Sequence, residues 1–243
     1  MGFSVALIEE ILALAIRQAN AGQRERAKVL CEQAHATLPP HAAVLQLLAV
    51  FNLQEGATAQ AALYARASLA LRPDHVPTVL IAGDAARAGG SASEALSHYL
   101  RAHTLQPTDH GICLRLGIAQ HQCGQLRQAL QTFGLAQTLA PDHVDTLFNL
   151  ALVQQDMRDL SGAVQTLRRM LQLSPARADA EMNLGILLQD CGCFEDAMRA
   201  YSRAYKLHEA SFGRIAHALA APRVGKIWLN LGELRAELQN LHG

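Results

Sequence analysis

Ile227, Leu231, Leu234, Leu238 and Leu241 stand four and three residues apart in the stretch GKIWLNLGELRAELQNL. That spacing lays apolar side chains along one face of an amphipathic helix. The opening stretch MGFSVALIEEILALAIRQ carries Glu9 and Glu10 inside its apolar run, and its spacing again predicts a helix. ASFGRIAHALAAP predicts a further helix, ended by Pro222, because proline lacks the N–H a helix interior needs. Between these ends apolar runs alternate with short polar turns. The tetrapeptide PDHV follows a leucine-containing run and precedes another apolar run in both LRPDHVPTVL, Leu71 to Leu80, and LAPDHVDTLFNL, Leu139 to Leu150.

The two PDHV segments are 68 residues apart, and Pro39, Pro73, Pro107, Pro141 and Pro175 recur every 34 residues. An alanine keeps the same phase in every copy, at Ala27, Ala61, Ala95, Ala129, Ala163 and Ala197. Five residues before each stands Gly22, Gly56, Gly90, Gly124 or Gly192, with Arg158 the exception. Twelve residues before each alanine is a small residue, namely Ala15, Ala49, Gly83, Gly117, Ala151 or Gly185. Small residues let two helices approach closely, the glycine supplies a left-handed turn that ends the first helix, and the proline stops the second.

The pattern resembles the tetratricopeptide repeat (TPR) family, whose signature is a 34-residue helix–turn–helix. The best copy, Ala178 to Glu209, carries Asn183, Leu184, Gly185, Gly192, Ala197, Tyr201 and Ala204 in the family's order. The resemblance implies an all-α, right-handed superhelical solenoid of stacked helix-turn-helix units. Six repeats are expected, at approximately 8–41, 42–75, 76–109, 110–143, 144–177 and 178–209, followed by a C-terminal helical pair, 210–243, acting as a cap. Cys31 and Ala65 replace the usual aromatic of the second helix in the first two copies, so those copies are expected to bury less area than the ones holding Tyr99, Phe133 and Tyr201. Glu209 replaces the last proline.

Lysine and arginine number 21, as do aspartate and glutamate, for a formal net charge of +0, and the signs are interspersed. No field steers a polyanion, which argues against nucleic acid as partner. The first residues lack the basic leader of a signal peptide, and no stretch approaches the ~18 to 20 apolar residues of a membrane span. Cys31, Cys113, Cys123, Cys191 and Cys193 are sparse and odd in number, which favours a reducing, cytoplasmic setting.

Catalysis needs convergent polar groups in a pocket, whereas His41, His75 and His143 recur at equivalent turn phases. Stacked helices lie ~8 to 10 Å apart and zinc ligands about 2 Å from a shared ion, so this ladder predicts no metal site. Cys191 and Cys193 lack the spacing of a redox or zinc pair. Phosphate-loop, nucleophile-elbow and zincin motifs are missing. No cofactor and no enzymatic activity are expected.

In the family resembled, the first helix of each repeat lines a concave groove through its second, fifth, sixth, ninth and twelfth residues. The resemblance thereby points to Leu80, Leu114, Ile118, Phe148, Leu152, Met182 and Ile186 as an apolar strip, with Arg115, Asn149 and Asn183 beside it. An open apolar strip of a few hundred Å² marks an interaction site, and side-chain amides bond the backbone of an extended peptide. Gly111, Asp145 and Asp179 occupy the second phase, where carboxylate-clamp repeats carry lysines. The expectation is an adaptor or scaffold that holds a peptide or an amphipathic helix of a protein partner in this groove. Packing of the chain's own C-terminal helix there, with Trp228 and Leu231 as plugs, is the competing arrangement. Recruitment of a catalytic subunit such as a glycosyltransferase, and self-assembly into homo-oligomers, are the other two readings.

Overall fold

The computed structural model describes residues 2–220 and 231–241, with side chains from Ala6 onward. Among them every regular element is helical. The chain forms two compact units, Met1–Gln125 and Leu126–Gly243. The first holds α1 (Gly2–Asn20), α2 (Arg24–Thr37), α3 (Ala42–Gln54), α4 (Thr58–Leu71), α5 (Val76–Ala88), α6 (Ala92–Leu105) and α7 (His110–Gln122). The second holds α8 (Leu126–Leu139), α9 (Val144–Asp156), α10 (Leu160–Leu173), α11 (Ala178–Asp190), α12 (Phe194–Leu207), α13 (Phe212–Ala220) and α14 (Leu231–Asn240). Within each unit packing is dominated by neighbours in chain order, as in a solenoid of tandem helix pairs.

The turns inside the pairs share one hydrogen-bond pattern. In the first, Gln23 N–H donates to Gln18 O at 2.9 Å; in the second, Ala57 N–H donates to Asn52 O at 2.9 Å; in the sixth, Cys193 N–H donates to Leu188 O at 2.8 Å. This six-to-one closure satisfies a carbonyl left over at the helix end and requires a left-handed residue just before the donor. Gly22, Gly56, Gly90, Gly124 and Gly192 hold φ between 73° and 83°, as the glycine phase in the sequence predicts. Arg158 takes the same place at φ 65°, and with a Cβ that conformation costs about 1–2 kcal/mol.

Close packing explains the other periodic positions. All six repeat alanines are fully buried. Opposite them, helix approach is limited by the pair of residues at two further phases: Gly83 lies under the Tyr99 ring and Gly185 under the Tyr201 ring. Where the ring is missing, alanine stands in place of glycine, as at Ala15 with Cys31 and Ala49 with Ala65, each pair buried in one cluster. In the second pair the aromatic sits one position earlier. Tyr64 packs on the clusters of both α2 and α4, and its ring meets His35 edge-on at 5.7 Å.

The end of the second unit departs from the repeat. A short turn of three-ten helix, Glu209–Ser211, leads into α13. Ile215 and Leu219 of α13 and Leu234 and Leu238 of α14 join the core around Tyr201, Ala204 and Tyr205. Ser202 Oγ donates to Leu238 O at 2.6 Å and Lys206 Nζ to Leu241 O at 2.5 Å, so α12 satisfies the last carbonyls of α14. The Arg235 guanidinium stacks 4.6 Å over the Phe212 ring. Pro222, Ile227 and Trp228 lie outside the described residues.

Candidate functional site

The groove positions named from the sequence divide between the two units. In the first, Leu80 on α5 and Leu114, Arg115 and Ile118 on α7 are all half-buried. Each keeps part of its surface exposed, and Leu80 also packs against the clusters that hold Tyr99 and Ala102 of α6. Asp84, one turn beyond Leu80, accepts the Tyr99 hydroxyl at 2.7 Å and lies 3.4 Å from Arg115 Nε. Arg115 also donates to Gly111 O at 3.2 Å. The charged pair thus sits beside the apolar residues with its geometry fixed from the core through Tyr99. Burial, with the hydrogen bond to Asp84 second, pushes the Tyr99 phenol well above its ordinary range, so the hydroxyl stays a donor.

In the second unit Phe148, Asn149 and Leu152 on α9 and Asn183 and Ile186 on α11 are half-buried, whereas Met182 is only 2 % exposed. Arg177, at the start of α11, lies 5.4 Å over the Phe148 ring. It grips Asp179 with two hydrogen bonds, Nε to Oδ1 at 2.9 Å and NH2 to Oδ2 at 2.7 Å, and reaches Asp145 at 3.5 Å. The hydrogen bonds from Arg177 hold the Asp179 carboxyl below the usual carboxylate range, against the opposing effect of burial. This network explains why the second phase carries acids here: they orient an arginine over the apolar face. Asn149 spends one amide proton on Asp145 O at 2.7 Å, leaving its carbonyl as an acceptor.

A cavity of about 520 Å³ opens on the groove phases of α11. Met182, Ile186 and the Tyr201 ring supply apolar lining, α13 stands along it with Gly213, Arg214, His217 and Ala218, and Arg158 reaches it from the turn between α9 and α10. Its wall is pinned by a relay in which Tyr201 donates to Gln189 Oε1 at 2.9 Å and Gln189 Nε2 donates to Ala218 O at 3.2 Å. Burial raises the Tyr201 phenol far above its ordinary value. Gln189, Arg158 and the α13 residues of this cavity were not among the positions chosen from the sequence. The glycine exception at 158 was visible there; the placement of α13 was not. Leu231, named as a plug, is 58 % exposed.

A second cavity of about 430 Å³ lies among α10, α11 and α12. Its charges are matched internally: Arg203 meets Glu181 at 2.7 Å, Arg199 meets Asp196 at 2.9 Å and Arg168 meets Asp196 at 3.8 Å. His41, His75 and His143 precede α3, α5 and α9 at the N-cap position. His143 Nδ1 accepts the Thr146 N–H at 3.3 Å and so caps α9, His75 Nδ1 meets Thr78 Oγ1 in the first turn of α5 at 2.9 Å, and the His41 side chain makes no cap bond. No helix among the described residues is long and apolar enough to cross a membrane.

No protein-family model matches the chain, and no curated protein matches it. Solved structures do. A crystal structure of MamA is 18 % identical, with 70 % of this chain and 93 % of that one covered at a TM-score of 0.64. MamA from Desulfovibrio magneticus RS-1 is 16 % identical over 70 % and 96 %, at 0.66. YrrB, a TPR protein with an unusual peptide-binding site, is 17 % identical over 74 % and 92 %, at 0.63. At such identity the likeness speaks for the fold. Together with the helix pairs and their left-handed turns, it gives the chain the tetratricopeptide-repeat fold.

Proposed function

We propose that the chain is a non-enzymatic protein-interaction adaptor whose units hold a peptide or amphipathic helix of a partner protein on the inward faces of their first helices. The observation that carries this is the half-buried apolar set on those helices, Leu80, Leu114 and Ile118 in one unit and Phe148, Leu152 and Ile186 in the other. Each set is flanked by polar groups already held in place, Arg115 by Asp84 and Arg177 by Asp179. Apolar anchors beside oriented donors suit main-chain recognition with side-chain selectivity. The peptide-binding site of YrrB supports the same use of a shared fold. The +0 net charge favours protein over nucleic acid as the partner, and free cysteines favour a reducing, cytoplasmic setting.

Selection from a displayed peptide library tests it. The wild-type chain should enrich peptides with apolar residues at helical or alternating spacing, and Leu114→Asp or Phe148→Asp should lose that enrichment while helical circular dichroism stays intact. Failure to enrich anything, or identical enrichment by both variants, would reject the adaptor reading.

A further inference from the structure

Arg158 stands where five other turns of the same geometry carry glycine, and it holds φ 65° in spite of its Cβ. Strain of this kind persists where the surroundings or the function require the side chain. Arg158 lines the cavity between α11 and α13, as does Arg214. Asp190, 4.0 Å from Arg158, offsets one of the two charges. Arg214 has no ion pair or hydrogen bond among the described residues. Of the other polar groups of the wall, Tyr201 and Gln189 are already joined to each other and to Ala218, and His217 adds an imidazole. What the cavity offers a ligand is therefore an apolar lining and surplus positive charge, within one small volume.

We propose that this cavity binds the C-terminal end of a partner peptide, with its last, apolar side chain against Ile186 and its terminal carboxylate at Arg158 and Arg214. The assignment rests on the adaptor reading and sharpens it. A terminal residue places carboxylate and apolar side chain on one Cα, which an internal Asp or Glu does not. A guanidinium meets a carboxylate through paired, charge-assisted hydrogen bonds. About 520 Å³ lies in the usual range for compact ligands, ~300–1,000 Å³, and suits a chain end better than a whole helix. This arrangement differs from a lysine clamp at the second phase, where Gly111, Asp145 and Asp179 stand.

The probes are two pools of fluorescein-labelled octapeptides, random inside and ending in Leu, Ile, Val, Met or Phe, one with a free carboxylate and one amidated. Capture on the full chain, followed by anisotropy on the selected peptides, should show a free-carboxylate preference of about tenfold or more, the effect expected of one lost charged hydrogen bond. Arg158→Gly is the informative variant, because it removes the guanidinium and also relieves the left-handed strain. It should melt no lower than wild type and yet bind the free-carboxylate peptides only as well as the amides. Arg214→Gln should act in the same direction. Equal binding of the two pools, or full binding by Arg158→Gly, would overturn this assignment while leaving the adaptor reading in place. Capture of neither pool would remove both. Dodecanoate binding at the cavity in place of the peptides would assign the charge to a fatty acid and overturn the peptide terminus.

Discussion

An alanine at position 83 would place its Cβ 2.6 Å from Tyr99 Cε1, 3.0 Å from Cδ1 and 3.1 Å from Cζ. The ring has little room to retreat, since Tyr99 is fully buried and its hydroxyl is tied to Asp84 at 2.7 Å. Two effects oppose each other in Gly83→Ala. Alanine is favoured over glycine inside a helix by about 1 kcal/mol. Overpacking costs ~1–3 kcal/mol, and a rigid, anchored ring puts this site near the upper end. The net expectation is a loss of about 2 kcal/mol, seen as a fall of roughly 8 °C in the melting transition of the first unit.

The opposite sign is expected once the ring is gone. The chain itself pairs Ala151 with Leu167 at these two phases, both fully buried in one cluster. In a Tyr99→Leu background, Gly83→Ala should therefore stabilise, by up to about 1 kcal/mol from propensity alone. Thermal melts of the wild type, both single variants and the double variant give the coupling, which should be about 2–3 kcal/mol. Additive effects, or a Gly83→Ala variant that melts as high as wild type, would refute the claim that glycine is there to admit the ring.

Thiol accessibility should follow burial: Cys191 and Cys193 are exposed and Cys31 and Cys113 buried, so a disulfide-exchange reagent at pH 8 should modify the first two in the native chain and the buried pair only on unfolding. Burial pushes the Cys31 thiol up to about 11, which slows it further, and its rapid native labelling would contradict the packing of the first pair. Burial, with Arg72 adding to it, lowers the His75 pKa, and burial also lowers that of His98 despite the opposing Glu94. The unfolded chain then takes up protons first, so this stability is present at neutral pH and lost as pH falls below about 6.5. Melting temperature should drop between pH 7 and pH 5.5, and the double variant His75→Asn, His98→Gln should drop less; equal slopes would dismiss the two histidines as the cause.

What recurs with the repeat was legible in the chain alone, because each recurring residue answers one local steric demand. A positive φ asks for glycine, a close crossing asks for alanine, and both demands are met at the phases where the 34-residue spacing puts them. What breaks the repeat was less legible. Tyr64 fills the space opened by Ala65 from one position away, and a fixed phase has no means of showing that. Met182 was placed at a groove phase on the resemblance, but at 2 % exposure it is a floor for the cavity beside α13 rather than an open anchor. That outcome depends on where α13 lies, and its approach follows a short three-ten turn with no proline to fix the register. Arg158 shows how the two kinds of information combine. The sequence marks it as the odd residue among glycines, and only the structure brings its side chain to the cavity that α13 helps to form. Local rules are most often broken where function requires it. A strained arginine and an irregular helix converge on one cavity, and that convergence is what the proposed carboxylate site adds to the regular phases.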